Sequence, residues 1–579
     1  MRDGRYTLRL EELTPRVLPR SPFEAPSLGP PPAPGADAVW VGTVDELQTA
    51  VRNVRSGQTI VVRPGTYDLT ETLVVGKFGP VADVTIRGAT DDFRDVVIRG
   101  RGMENADYGA VPSGVSVYDA QNVTVADLSV GDVYFHPFDI QGGMGAARVH
   151  LYHVRGFDGG EQIVKSSAGG GADFCSIEYS LFEYTVAPPT TDHGGGVGYT
   201  GGLHAHEADG WAIRDNLWRN FHTPDSSATW FAPVILMWNG SRDTVVEGNT
   251  FIDCDRAVAF GLVDAAGFDH QGGVIRNNFV YQTPGLFSAA RRAESDGQIL
   301  VYDSPGTAVY NNTVLTNGNS RYSIEVRWAT TGVEFVNNLA DAPLHARDGG
   351  AYTAAGNYLS ADPTLFANPA AGDLHLVENA ATLASVIDKA VSLTGVSTDW
   401  DGDQRSAVAD VGADEWHPVP PPAVAPAPAE PAGPPAPTPA APAGPALSGA
   451  VGGPFGLVFA LNSDGSVRFV RMAAYPGYEG ALSTAVADVN GDGIPDVITG
   501  TASGVGVVRV FSGTDGAELT SFLPFGALSV GVGVTAGDAD GDGFADIFVA
   551  PVGFPLYAVF SGRDRSFLGF GPAGGDLVG

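Results

Sequence analysis

The chain has 579 residues and carries 33 Lys and Arg against 66 Asp and Glu, for a net charge of -33. That length exceeds one ordinary globular core, and the charge argues against nucleic acid or an anionic membrane surface as partner. Gly 77 and Pro 41 make up about a fifth of the residues, which disfavours long helices and points to turn-rich β structure. The two cysteines, Cys175 and Cys254, are too few for a disulfide framework and lack metal-ligand spacing, so they read as small buried residues.

Residues 1–38 read as a mostly disordered tail, without the apolar core of a secretory signal. Within it, Leu8-Arg-Leu-Glu-Glu-Leu-Thr-Pro-Arg-Val-Leu-Pro19 resembles a short N-terminal motif of large planctomycete surface or exported proteins. A folded unit is expected over 39–416. It opens with Val39-Trp-Val41, and Thr43-Val-Asp-Glu46 forms a capping box before a short helix whose Leu47, Val51 and Val54 share one face. Short glycine-divided strands follow, such as Gln58-Thr-Ile-Val-Val62 and Asp83-Val-Thr-Ile-Arg-Gly88.

From there a degenerate repeat is anchored at Asp127, His153, Ser180, Asn216, Asn249, Asn278, Asn312, Asn338 and Asn357, with a mean spacing of about 29 residues. Such a period means a solenoid. The units are β-branched, glycine-rich and variable in length, which disfavours leucine-rich and helical repeats and leaves an all-β fold, a right-handed parallel β-helix. Asparagine suits a recurring bend, since it tolerates a left-handed backbone and its amide can bond to the asparagines stacked above and below. The stretches Gly201-Gly-Leu-His-Ala-His-Glu-Ala-Asp-Gly-Trp-Ala-Ile-Arg-Asp-Asn216 and Asp399-Trp-Asp-Gly-Asp-Gln-Arg405 with Asp410-Val-Gly-Ala-Asp-Glu415 resemble an uncharacterised bacterial branch of the pectate-lyase-like β-helix superfamily. That resemblance implies a polysaccharide-active protein. The superfamily also holds hydrolases and adhesins, and fold does not give function.

Counting back 13 or 14 residues from the asparagines finds Leu203, Leu236, Ile299, Ile324 and Leu344, expected to stack inside the coil. Alternation then sends His204 and His206, Met237 and Asn239, Leu300 and Tyr302, Glu325 and Arg327, and His345 and Arg347 outward as one stripe. Lys165, one of three lysines, falls on a neighbouring rung. A sugar polymer lying across this stripe would meet Arg327 and Arg347 as carboxylate partners, Glu325 as a carboxylate, and His204, His206, His345 or Lys165 as acid or base. Ordinary solvated Glu/Arg pairing is the competing reading. Pectate lyases hold calcium with acidic residues that the stripe lacks, so an elimination with a His or Lys base is the open alternative.

Residues 417–446 hold a Pro/Ala-rich linker, with thirteen prolines in 418–445. Beyond it, 447–579 contains two loops 50 residues apart: Asp488, Asn490, Asp492 and Asp496, then Asp538, Asp540, Asp542 and Asp546. Oxygen ligands at loop positions 1, 3, 5 and 9 with glycine at 6 suit Ca²⁺. The loops resemble FG-GAP or VCBS repeats, which build β-propeller blades, though fewer than three blade-lengths are present. This implies a small propeller-blade-like calcium-binding module, incomplete or completed by self-association or a partner. No membrane span is expected, and a secreted or cell-surface location fits both modules. The leading expectation is an extracytoplasmic polysaccharide-active protein, either a polysaccharide lyase acting on a uronic-acid-containing glycan or a glycoside hydrolase working through two carboxylates. The alternative is a non-catalytic cell-surface protein for glycan binding or adhesion.

Overall fold

The structure, a computed structural model, describes residues 34–417 apart from 91, 190–191, 195, 197, 228–229, 370–371 and 394. It also describes residues 30–31 and the strands and many of the turns of 447–572. The tail 1–29 and the linker 418–446 lie outside the described residues. The described residues divide into two units, one within 12–418 and one within 419–579.

The first unit is a coil of three parallel sheets of twelve, ten and ten strands, each strand paired with its counterpart one turn away. Parallel sheets must be covered on both faces or carry polar outer residues. Here the inner faces merge into one continuous core running from Val41 to Ala340. The helix Val44–Arg52 closes the N-terminal end, with Leu47 and Val51 buried. Thr43 accepts from the Glu46 amide at 3.2 Å as the N-cap, and the Glu46 carboxylate accepts from the Gly42 amide at 2.8 Å, one residue before the cap.

The asparagine series forms a buried ladder. Side-chain amides donate from Asn216 to Asn249 at 3.0 Å, Asn249 to Asn278 at 3.1 Å, Asn278 to Asn312 at 2.9 Å, Asn312 to Asn338 at 3.0 Å and Asn338 to Asn357 at 2.9 Å. The left-handed residue, however, is the one before each anchor: Asp215, Gly248, Asn277, Asn311, Asn337 and Gly356. Bend and ladder are thus two jobs on adjacent positions. Asp127 and His153 fall on the bend position and not in the ladder, which begins where the Ser180 hydroxyl accepts from the Val154 amide at 3.0 Å.

The expected inner column needs one correction. Leu203 pairs with Ile235, then Val258, Ile299, Ile324 and Leu344. Leu236 is therefore one residue out of phase and faces outward beside His204, while Met237 joins the core. The strand Pro233–Trp238 is apolar at nearly every position, so no polar alternation fixes its phase. The strand Arg256–Phe260 is an additional rung, between those of Leu236 and Ile299.

Both cysteines are free and buried, and burial pushes the Cys175 thiol up to about 12. In the second unit, antiparallel sheets of three, four and four strands are described. Ile498, Val508, Val510, Val532, Val534, Ile547 and Val549 share one core there. No helix among the described residues is long and apolar enough to cross a membrane.

Candidate functional site

The outward column of the ten-stranded sheet containing Leu203 runs Ser116, Asp139, Lys165, His204, Leu236, Ala259, Leu300, Glu325, His345. Two polar clusters occupy its ends. His204 and Glu325 are separated by four rung steps, roughly 19 Å at the usual strand spacing. Between them Leu236, Ala259, Leu300 and Tyr302 form an outer apolar cluster packed under Trp238, Leu262 and Trp328. The stripe is one column, but its chemistry is not one site.

At the first end, Lys165 sits mid-strand in Gln162–Ser166 and is 8% exposed. Its Nζ donates to the Tyr199 hydroxyl at 2.9 Å and lies 3.0 Å from His206 Nε2. His206 Nδ1 in turn meets the Asn239 amide nitrogen at 2.6 Å. With that amide nitrogen donating to Nδ1, His206 carries its proton on Nε2, and the lysine partner is then the neutral amine. Burial drives the Lys165 pKa down to about 8 against the opposing pull of Glu161 and Asp139. Burial and the lysine charge hold His206 at about 4, and burial pushes Tyr199 up to about 12. The neutral imidazole is thus a relay and spacer, and the lysine is the group that titrates near neutral pH.

His204 is 2% exposed, and its Nε2 is 3.0 Å from the Pro233 carbonyl. A carbonyl only accepts, so Nε2 carries the hydrogen and Nδ1 is a bare acceptor, which no hydrogen bond reaches. Gly201 is required beside it, because a Cβ there would lie 2.3 Å from His204 Nε2. Around Lys165, the Asp139 carboxylate accepts from Gln141 at 2.7 Å and from Ser116 at 3.3 Å, and Gln141 also reaches the Ser167 hydroxyl at 3.1 Å. His136 stands 3.6 Å from Glu161 and is held neutral by burial, with its pKa lowered to about 3. The exposed Asn239 marks the rim.

At the second end the expected groups are consumed by one another. Glu325 is 1% exposed and takes Arg347 Nε at 2.6 Å, His345 Nδ1 at 3.1 Å and the Tyr302 hydroxyl. Asp296 joins through Tyr302 at 3.2 Å and holds Arg256 through two bonds of 2.8 and 2.6 Å. Arg327 pairs with Asp348 and stacks over Trp328 at 4.1 Å, while His345 stacks on Tyr322 at 3.9 Å. Arg327 and Arg347 are thus neither near Lys165 nor free of carboxylates. Sequence alternation placed Lys165, His204 and His206 on neighbouring rungs. It missed Tyr199, Glu161 and His136, because no periodicity ties a loop tyrosine or a preceding turn to the strand it covers, and it missed Asp139, which strand phase sets beside Lys165, because the asparagine anchors that mark the phase begin only at Asn216.

In the second unit, Asp488 accepts from the Gly491 amide at 2.7 Å and the Gly493 amide at 2.8 Å, both glycines having positive φ. Asp496 is fully buried and accepts from Val489 at 3.1 Å and Gly513 at 2.9 Å, as Asp546 does from Ala539 at 2.7 Å and Gly562 at 3.1 Å. The carboxylates at positions 1 and 9 therefore fasten the turns. The described donors Asp488, Asn490 and Asp496 have the all-oxygen chemistry a hard cation takes. Asp492, Asp540 and Asp542 lie outside the described residues.

No protein-family profile and no curated protein matches the chain. Among solved structures it is similar to an alginate lyase from Paenibacillus sp. str. FPU-7, at 13% identity and TM-score 0.31 over 55% of this chain and 99% of that one. It is similar to pectate lyase Pel9A at 13% identity and TM-score 0.34 over 64% and 90% of the two chains. The A-module of the mannuronan C-5 epimerase AlgE6 from Azotobacter vinelandii gives 11% identity and TM-score 0.32 over 55% and 95%. No activity follows from likenesses of this size, and the three-sheet coil stands on its own strand register.

Proposed function

We propose that the chain is an extracytoplasmic polysaccharide lyase acting on a uronic-acid-containing glycan, with Lys165 as the base. The observation that carries this reading is a lysine amine with a pKa lowered to about 8, held on the outer face of a parallel sheet between a tyrosine hydroxyl and a neutral histidine. In β-elimination the amine takes the proton from the carbon next to the carboxylate. Those electrons form the carbon–carbon double bond as the bond to the glycosidic oxygen breaks. The Tyr199 hydroxyl gives its proton to the departing oxygen and recovers one from the Lys165 ammonium across their 2.9 Å contact, which returns both groups to their starting state. Desolvation lowers the pKa of the base toward neutrality, the way a lysine is ordinarily tuned for such work. Gln141, Ser167 and Asn239 supply polar contacts at the rim.

A second reading, a non-catalytic surface protein that binds glycans, is favoured by the apolar cover over Leu236, Ala259 and Leu300, which closes the middle of the face to a long chain. Polysaccharide is the partner in either case. The C-terminal loops are proposed to take Ca²⁺, with the cation supporting the fold. The deciding experiment incubates the purified chain with a panel of uronic-acid and neutral polysaccharides, following ultraviolet absorbance of unsaturated ends and the appearance of reducing ends. Unsaturated product that disappears in Lys165→Met supports the lyase. Binding without product supports the second reading.

A further inference from the structure

The segments that follow the last turn of the coil cap the Phe279 strand and meet at a second cluster, unrelated to the Lys165 face. His375 lies on the strand Asp373–Leu376, with Nδ1 2.6 Å from Asp373 and Nε2 2.9 Å from Asp401 Oδ2. One donor atom each from His375, Asp401 and Asp414 lies within 4.8 Å of the other two. The rings of Phe279 and Trp400, at 5.5 and 5.2 Å, wall the imidazole in.

Two features go beyond a crowd of acids. Asp414 is 5% exposed, yet its one hydrogen bond among the described residues runs from the Leu376 amide to Oδ2 at 2.7 Å, so Oδ1 has no donor. That oxygen keeps its lone pairs free for a ligand. In addition, three carboxylates gather around one imidazole. Asp373 fixes the ring through Nδ1 and aims Nε2 at the two other acids, the arrangement by which an outer carboxylate orients a metal-bound histidine. The 2.9 Å hydrogen bond between Nε2 and Asp401 would have to open only slightly, to roughly 3.0–3.4 Å, for both atoms to bond one first-row metal at about 2.1 Å.

We propose that His375, Asp401 and Asp414 bind one first-row divalent cation of the Zn²⁺ or Mn²⁺ class, which ties the cap strand, the 399–404 turn and the 410–416 segment together. One imidazole and two carboxylates suit such an ion better than Ca²⁺, which prefers oxygen alone. Binding releases the proton on His375 Nε2.

The test uses the full chain, stripped with a chelator and dialysed against buffered Zn²⁺ or Mn²⁺, with bound metal measured by elemental analysis. The expected result is about one equivalent per chain, falling at least tenfold in Asp401→Asn/Asp414→Asn with an unchanged far-ultraviolet circular dichroism spectrum. Should that double variant fail to fold, Co²⁺ on the wild-type chain provides the readout. It should give ligand-field absorption and shift one of the 11 histidine imidazole resonances, the one absent from His375→Gln. No stoichiometric uptake, uptake of Ca²⁺ alone, or equal uptake by the double variant overturns the proposal.

Discussion

Two ends of the same outward column carry nearly the same residue types, lysine or arginine with histidine and carboxylate, yet they are chemically opposite. Around Glu325 every cation has a carboxylate within hydrogen-bond reach, and the charges cancel in pairs. Around Lys165 the cation faces a hydroxyl and an imidazole, while Asp139 is engaged by Ser116 and Gln141. A stripe on a solenoid becomes reactive where no carboxylate bonds the buried amine directly, because burial then outweighs the pull of the nearby acids and shifts the group toward neutral pH. Where partners are supplied, the same residues are structural.

The largest expected effect that breaks this contrast is Lys165→Met, which should lower kcat/KM for unsaturated product by about 10³-fold while leaving the far-ultraviolet spectrum intact, the scale of a lost general base. Lys165→Arg should not restore activity, because a guanidinium stays protonated. A sharper form uses pH. The amine is the active form, so kcat/KM should rise through about pH 8 and level above it. The sign for stability agrees. The folded-state value of about 8 lies below the ordinary 10.5, so the unfolded chain binds more protons between these pH values and stability should rise with pH there. Lys165→Met should flatten that slope in denaturant titrations.

Next in size, Glu325→Ala should cost about 3 kcal/mol of stability, since it strands Arg347, His345 and the Tyr302 hydroxyl. Activity per folded molecule should stay unchanged. Equal losses of activity at Glu325 and Lys165 would show that the two ends act as one site. Asn278→Ala removes the donor to Asn312 and the acceptor for Asn249 and should cost about 2 kcal/mol by chemical unfolding. Arg327→Ala, breaking a partly exposed pair with Asp348, should cost less than about 1 kcal/mol.

The coil was legible in the sequence because a recurring asparagine in β-branched, glycine-rich units of variable length leaves few other solenoids, and five stacked amide bonds bear the ladder out. The adjacency of Lys165 and His204 was legible for the same reason, since both follow from strand phase. The phase of Pro233–Trp238 was not, because a run without polar residues contains no marker of which face is wet. The pairing of Glu325 with Arg347 could be guessed from a shared face. Its depth could not, since burial there depends on Tyr302, Trp328 and Asp296 arriving from other rungs and a loop. Tyr199 illustrates the remaining limit: a loop that folds back over a sheet leaves no periodic trace.

The amide ladder spans only part of the coil, from Ser180 to Asn357, while the turns between Val39 and Tyr179 rely on apolar stacking without it. In a quasi-one-dimensional protein each turn is secured by its neighbours, so this uneven stitching makes the two halves unequal partners in opening. Fraying would begin in the unlaced half and halt near Ser180. Lys165 and His206 straddle that seam, with a supple turn on one side and a braced one on the other.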